Sequence, residues 1–239
     1  MKLSGIEMRK KVIRYGLEFL VVFSGILLSF VIDNRIKVNE RIANKDLLLN
    51  QLTVALNEDR IQLEVVKSAL DNCLVSIDSL LENHSRRNLN TKSVASHFSN
   101  VSARMSISFF PQKSIYNQLI NSSGFELIEN EELKKGLTDY YEHLSERNNS
   151  INIKLDQFNQ EFDYYFIPHI NYVTSLNQLD NSVDLSSSIS IYTIHDSFYQ
   201  NASLGYLTNA QKRIVFYQEL LKKYEETLDQ VFDELGDNN

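Results

Sequence analysis

The residues that could support catalysis or metal binding are few and scattered. The chain has five histidines, and no two of them lie at the i, i+4 spacing that places two metal ligands on one helix face. A single cysteine, Cys73, excludes an intramolecular disulfide and a thiolate-rich zinc site. Glycine-rich phosphate loops are absent, and Ser122-Ser123-Gly124 lacks the strand-to-helix turn of a nucleophile elbow. We therefore expect no catalytic residue, no metal and no cofactor.

The composition favours long helices. Among 239 residues there are only seven Gly and two Pro, whereas sandwiches and barrels need a turn about every ten residues. Residues 1–32 carry a net charge of +3 and the remaining 207 residues a net charge of −10. An acidic body without a basic stripe binds phosphate backbones poorly, so we do not expect a nucleic-acid partner.

The most distinctive segment is an apolar run near the N-terminus. Residues 12–32 read VIRYGLEFLVVFSGILLSFVI, and a helix of this length measures about 31 Å, close to the bilayer core of about 30 Å. A cleaved signal peptide is the alternative, since basic residues precede the run. The run ends at Asp33-Asn34-Arg35 without a small-x-small cleavage pattern, which favours an uncleaved helix in the lipid bilayer. We thus expect a cytoplasmic basic tail (1–11), a transmembrane helix (12–32) and a helical bundle domain (33–239).

Charged residues that flank the run predict its orientation. Five Lys or Arg lie on the N-terminal side, and four lie within about fifteen residues on the C-terminal side. The positive-inside rule therefore favours an N-terminus in the cytoplasm and a body on the other side of the membrane.

Polar and small residues within the apolar run allow two interpretations. Glu18 can pair with Arg14, which lies one helical turn earlier, and so sit at the headgroup level. Alternatively, Glu18 makes a polar contact between membrane helices, and the small residues Ser24, Gly25 and Ser29 let those helices approach closely. The second interpretation predicts a homo-oligomer.

Beyond the membrane segment, apolar residues repeat at heptad spacing. One position of the repeat holds Ile42, Leu49, Leu56, Leu63, Leu70 and Ile77, and the other holds Val38, Lys45, Leu52, Asp59, Val66, Cys73 and Leu80. This pattern predicts one continuous helix to about Leu81. Packing within a bundle is favoured over a free coiled coil, although Lys45 and Asp59 could set the register of an oligomer.

Three further helices are predicted from the remaining apolar stripes. One runs from about Asn130 to Phe166, a short one covers Lys113–Asn121, and the last carries a stripe from Ile214 to Leu235 with Thr208 as N-cap and Gly236 at its end. The Ser- and Asn-rich segments His84–Asn100 and Thr174–Ser190 are predicted as loops, with a short strand at Ser186–Ile194. The fold class is thus all-α, an N-terminal transmembrane helix that continues into a long helix of an antiparallel helical bundle.

Aromatic residues form the remaining candidate interaction surface. The cluster Phe158, Phe162, Tyr164, Tyr165, Phe166 and Tyr172 fits the packed end of a bundle better than a ligand pocket. Tyrosine hydroxyls need partners when buried, so part of the cluster could face an interface, in particular Tyr164 and Tyr165. Tyr140 and Tyr141 are consecutive, so we expect one to face the stripe and the other to be available for a second contact.

Two stretches of the chain resemble a known family. The membrane run Glu18-Phe19-Leu20-Val21-Val22 through Gly25-Ile26-Leu27 is one, and the other is a central signature made of Phe109, Pro111, Tyr116, Leu119, Ser123-Gly124, Leu127-Ile128, Asn130, Leu133 and Tyr140-Tyr141. Together they resemble a family of uncharacterised bacterial single-pass membrane proteins, the domain of unknown function six-zero-nine-zero. Leu17 and Arg35 depart from that family's Gly and Trp. The resemblance implies a membrane-anchored helical protein and implies no reaction. Together with the flanking charges, it leads us to expect a protein of the bacterial inner membrane with its body in the periplasm.

Within the central signature, individual residues predict helix boundaries. Pro111 is expected to begin a helix, Ser123-Gly124 to end it, and Asn130 to cap the next one.

Three functions follow as hypotheses. The first, which we favour, is a membrane-anchored interaction or scaffold protein that forms a homo-oligomer and contacts a protein partner encoded nearby. The second is a membrane effector that oligomerises and alters permeability in stress or phage defence. The third, a membrane-bound enzyme, is disfavoured because no catalytic constellation is present.

Overall fold

The computed structural model describes residues 5–87, 91–174 and 189–236 of an all-α protein. Its first helix is uninterrupted over 82 residues, which confirms the predicted continuation beyond the apolar run. The six α-helices are α1 (Gly5–Arg86), α2 (Thr91–Arg104), α3 (Ser114–Asn121), α4 (Glu131–Thr138), α5 (Ser145–Phe166) and α6 (Asn201–Gly236). One π-helical turn, Asp139–Leu144, joins α4 to α5 without a break.

The chain forms two compact units. The first comprises the described parts of Met1–Gln51 and Ile115–Glu129, and the second comprises those of Leu52–Ser114 and Asn130–Asn239. The second unit is the helical bundle.

The first unit contains the apolar run of α1. Among the described residues, α1 is the one helix long and apolar enough to cross a membrane, with a mean hydropathy of 2.1 over 18 residues and none of that stretch buried. The end of α3 lies in the same unit, where Ser123 has a positive φ of 55° and the Gly124 N–H donates to the Leu119 carbonyl at 3.0 Å. A Cβ on Gly124 would lie 3.0 Å from Leu119 Cδ1, so glycine suits this close turn.

The bundle core is built from the predicted stripes of α1 and α6. From Leu52 onward, the heptad positions of α1 are buried, and the same holds for the stripe of α6. The buried stripe residues of α6 are Ile214, Tyr217, Leu221, Tyr224, Leu228, Val231 and Leu235. Cys73 is fully buried on the α1 stripe, and this burial raises the pKa of its thiol to about 12.

A helix occupies most of the segment His84–Asn100, where a loop was expected. Helix α2 begins at Thr91 and buries an apolar face despite its Ser and Asn content. Its buried residues follow helical spacing, Val94, Ala95, Phe98 and Val101, and Met105 continues this face just after the helix. The loop prediction was wrong because burial of this face outweighs the low helix propensity of the polar positions.

Two predicted helix starts were also wrong. Helix α6 begins at Asn201 rather than after Thr208, because its buried face continues backwards through Leu207 and Ser203. Pro111 does not begin a helix; it lies in an irregular segment, residues 107–113, and α3 starts at Ser114. We call residues 107–113 the strap.

The predicted helix from about Asn130 to Phe166 is confirmed as the continuous run α4, π-turn and α5. The side chain of Asn130 accepts a hydrogen bond from Leu133 N at 3.0 Å, so the predicted N-cap is present. Tyr140 and Tyr141 lie in the π-turn and both are fully buried. The expectation that one of them is available at the surface was wrong, because the wider turn directs consecutive side chains inward.

A two-stranded antiparallel hairpin is the one β-structure among the described residues. It pairs β1 (Ile170–Thr174) with β2 (Ile189–Ile194). The strand expected at Ser186–Ile194 is therefore confirmed over residues 189–194. Residues 175–188 of the predicted Thr174–Ser190 loop lie outside the described residues.

Substitution of Leu63 by Asp should unfold the bundle, because Leu63 is 1% exposed on the α1 stripe and a charge there would be buried without a partner. We expect a loss of about 4 kcal/mol or more in the free energy of unfolding, measured by urea denaturation of the full chain in detergent. The control is Val65→Asp, two residues away at an exposed position, which should change stability by less than about 0.5 kcal/mol. Equal effects of the two substitutions would contradict the assignment of the stripe to the core.

Candidate functional site

An open cleft of about 590 Å³ lies beside the strap. One wall is the strap itself, with Phe110, Pro111 and Lys113. The π-turn and the first turns of α5 supply the rest of the lining: Glu142, Ser145, Glu146, Asn148, Asn149 and Asn152. Small-molecule sites commonly enclose about 300–1,000 Å³, so this cleft is large enough for one.

Side chains from three helices hold the strap in place at its buried residue, Phe109, and near its end. Phe109 N donates to the Tyr217 hydroxyl of α6 at 2.9 Å, and Asn148 Nδ2 of α5 donates to the Phe109 carbonyl at 2.7 Å. Gln112 N donates to the two carboxylate oxygens of Asp59 in α1 at 3.0 and 3.2 Å. An irregular segment has no internal ladder of hydrogen bonds, so these side chains satisfy backbone groups that would otherwise be buried unpaired.

Asp59 is fully buried at the centre of this arrangement. Its carboxylate also accepts a hydrogen bond from the Tyr140 hydroxyl at 3.1 Å. Burial raises the pKa of Asp59 to about 6, and the neighbouring Glu58 carboxylate adds to this; the hydrogen bonds from Gln112 N and Tyr140 oppose it. The pKa of the Tyr140 hydroxyl is raised as well, by its own burial and then by the Asp59 charge.

Two buried asparagines belong to the lining of the cleft. Asn148 and Asn152 are 3% and 4% exposed and lie one turn apart on α5. The bond from Asn148 Nδ2 to Phe109 fixes the amide so that Oδ1 is left as an acceptor. Neither Asn148 Oδ1 nor Asn152 Oδ1 receives a hydrogen bond from any described residue. A buried carbonyl without a donor costs about 1–3 kcal/mol, so both oxygens favour a ligand with N–H or O–H groups.

The charged residues of the cleft are unpaired within the part of the chain that the structure describes. Lys113, Glu142 and Glu146 all line the cleft, and none of the ion pairs between described residues includes them. By contrast, Lys67 and Arg60 on α1 pair with Glu225 and Asp229 on α6. The cleft thus presents one positive and two negative side chains that form no ion pair with another described residue.

The predicted residues of the membrane run lie apart from this cleft, in the first unit. Arg14 Nε donates to Glu18 Oε1 at 3.0 Å, which is the i, i+4 pair of the first interpretation of Glu18. Gly25 and Ser29 line a shallow groove of about 340 Å³, whereas Ser24 is not part of its lining. A Cβ on Gly25 would meet no atom within 4 Å.

The two polar residues of the heptad stripe have partners within one chain. Asp59 is satisfied by Gln112 and Tyr140, and Lys45 pairs with Asp46 at 2.9 Å. The idea that Lys45 and Asp59 set the register of an oligomer therefore loses its basis.

The tyrosines predicted as an interaction surface differ in their exposure. Tyr164 is 75% exposed. Tyr165 is half-buried; its ring stacks on Tyr206 with centroids 4.3 Å apart, and its hydroxyl lies 3.1 Å from Ser203 Oγ. Phe158, Phe162 and Phe166 are buried, which confirms the packed bundle end, and of the four tyrosines proposed as an interaction surface Tyr164 is the most exposed.

The described residues contain no group of three or more His, Cys, Asp or Glu side chains close enough to hold a metal ion. His169 and His195 meet at the base of the hairpin, where His195 N donates to the His169 carbonyl at 2.9 Å. Burial lowers the pKa of His169, and the nearby His195 adds to the effect.

Comparison of the chain with protein-family models, with curated proteins and with solved structures gives no match. Membership of the family that the chain resembles stays a prediction.

The cleft residues were missed by sequence reasoning, although one signal was present. Asn148 and Asn152 fall among the apolar residues Leu144, Ile151 and Leu155, so they occupy the buried face of α5. Polar residues on a buried helix face need partners or a ligand, and their position was the available indication of a site.

Substitution of Asp59 by Asn should remove a pH-dependent step in stability. The pKa of Asp59 is about 6 in the folded protein and 3.8 ordinarily, so the folded state binds its proton more tightly. The stability contributed by protonated Asp59 is complete below pH 3.8 and is lost as pH rises through 6, by up to about 3 kcal/mol. Asn cannot ionise, so the free energy of unfolding of the variant should not show this loss. The difference between the variant and the natural protein should therefore grow in favour of the variant as pH rises from about 4.5 to about 7.5, measured by urea denaturation at each pH.

The matched control is Asp233→Asn, at an exposed position of α6, which should leave the pH profile of the natural protein unchanged. A profile of Asp59→Asn parallel to that of the natural protein would show that Asp59 has an ordinary pKa in the fold.

Proposed function

We propose that this chain is a membrane-anchored interaction protein without catalytic activity, whose bundle binds a partner beside the bilayer. The observation that carries the proposal is the contrast along α1. From Ile13 to Ile32 its apolar run is exposed, whereas the same helix buries its stripe from Leu52 onward. Exposed apolar side chains such as Phe19 and Val21 favour a hydrocarbon environment, and a run of 21 residues has the length that a bilayer core requires.

We further propose that the anchor lies in a bacterial inner membrane, with the N-terminus in the cytoplasm and the bundle in the periplasm. The excess of basic residues on the N-terminal flank supports this orientation, and the family resemblance supports a bacterial membrane. The Arg14–Glu18 pair supports the anchor itself, because a paired carboxylate near the start of the run can remain at the headgroup level.

Three lysines in the apolar run should release the protein from the membrane. We expect the variant Leu20→Lys, Phe23→Lys, Leu27→Lys to be extracted by alkaline carbonate, because each central Lys costs about 2.5–3.5 kcal/mol in a membrane helix. The natural chain should remain in the membrane pellet. The control variant places lysines at Ile61, Val65 and Val75, which are exposed apolar residues of α1 within the bundle, and it should stay in the pellet. Recovery of the natural chain in the soluble fraction would refute the anchor.

A phosphatase fused after Asn239 tests the orientation, since this reporter is active only outside the cytoplasm. Activity of the fusion is the expected result. An inactive phosphatase together with a fluorescent cytoplasmic reporter at the same position would reverse the proposed orientation.

A homo-oligomer formed through the membrane helix is part of this proposal. Val22, Gly25 and Ser29 follow the 3-4 spacing of one helix face. The groove at Gly25 and Ser29 is open, so the backbone of a second copy can approach there.

Substitution of Gly25 by Leu should shift the protein towards smaller species by filling this face. The matched control is Gly16→Leu, because Gly16 is equally open and lies nine residues earlier, on the opposite side of the helix. Cross-linking at membrane-like density reports the size distribution, and an effect of about 0.6–2 kcal/mol is expected for one intramembrane contact. A natural chain that runs as a monomer would exclude this interface, and equal shifts for both variants would exclude its assignment to the Gly25 face.

A further inference from the structure

The cleft beside the strap has the chemistry of a small-ligand site. Two of its lining residues, Asn148 and Asn152, each hold a buried carbonyl oxygen that receives no donor from the described residues. The strap and α5 hold the Asn148 oxygen in a defined position, because the other end of that amide donates to the Phe109 carbonyl. An acceptor fixed in this way selects for a ligand that donates, such as an ammonium or guanidinium group.

The charged lining narrows the class of ligand. Glu142 and Glu146 supply two carboxylates, and Lys113 supplies one ammonium. A ligand of complementary charge therefore carries two positive groups and one negative group. Diamines lack the negative group, and amino acids with neutral side chains lack the second positive one.

The remaining wall is apolar. Phe110 is 61% exposed and lies next to Pro111 on the cleft side of the strap. An exposed aromatic ring can cover methylene groups and attract a cation to its face.

We infer that this cleft binds a basic α-amino acid, the class that includes lysine and arginine. Its two cationic groups match the carboxylates and the amide oxygens, its carboxylate matches Lys113, and its methylene chain matches Phe110 and Pro111. The inference deepens the proposed function, because it gives the anchored bundle a ligand of defined chemistry.

Titration calorimetry on the full chain in detergent micelles tests the inference with four probes. L-lysine and L-arginine should bind with a Kd below 1 mM. L-leucine and putrescine, which lack the second cation and the carboxylate respectively, should bind at least about tenfold more weakly, since hydrogen bonds between charged groups are the stronger ones. Absence of binding by both basic amino acids would overturn the inference, and so would putrescine binding as tightly as lysine.

Substitutions of the charged cleft residues test which side chains contact the ligand. The double variant Glu142→Gln, Glu146→Gln should weaken lysine binding at least about tenfold, and Lys113→Gln should weaken lysine but not putrescine. The matched controls are Glu161→Gln and Lys154→Gln, at exposed positions of α5 outside the cleft lining, and both should bind lysine as the natural chain does. Lysine binding unchanged in the double variant would overturn the assignment to this cleft.

The outcomes of this test are separate from those of the membrane test. A chain that stays in the membrane pellet and binds none of the four probes would overturn the ligand and leave the anchor. If carbonate extracts the chain and the chain still binds lysine through Glu142 and Glu146, the proposed membrane anchor is overturned and the inferred ligand site stands.

Discussion

The bundle depends on the burial of one carboxylate. An isolated ionised carboxylate inside a protein costs several kcal/mol, and hydrogen bonds are what make its burial tolerable. Asp59 receives them from the strap, through Gln112 N, and from the π-turn, through Tyr140. These two elements must therefore pack against α1 at the level of Asp59, and the cleft lies where they face each other. The same carboxylate that organises the bundle also makes its stability depend on pH.

The π-turn connects core packing with the cleft. It turns Tyr140 and Tyr141 inward together, with ring centroids 4.8 Å apart, and Tyr140 packs edge-on against Tyr224 at 5.2 Å. A regular α-turn would carry one of the two phenol rings away from this interior. The turn also carries Glu142, which reaches the cleft lining directly after the two tyrosines. A departure from α-helical geometry at this place thus serves both the aromatic core and the polar site, a combination often found where π-turns occur.

The predictable and unpredictable parts of the fold differ in how their contacts repeat. Helices α1 and α6 could be predicted because burial recurs every three or four residues, as in Leu56, Leu63 and Leu70. The strap has no such period, since its backbone is held by side chains as distant in sequence as Asp59 and Tyr217. Its position follows only from tertiary structure, and the cleft beside it was therefore not predicted. In α2, a short apolar face was hidden among Ser and Asn residues whose local preference is for loops.

The π-turn also has a consequence for how this sequence would align with a relative. A π-turn holds one more residue than the α-helical turn it replaces, so removal of one residue from it would restore an α-turn and leave the helices on both sides in phase. A relative that lacks one residue between Asp139 and Leu144 would keep the inward faces of α4 and α5 and would lose one core tyrosine. Such a relative would align with this chain through a one-residue gap inside a helix, where alignments normally place none.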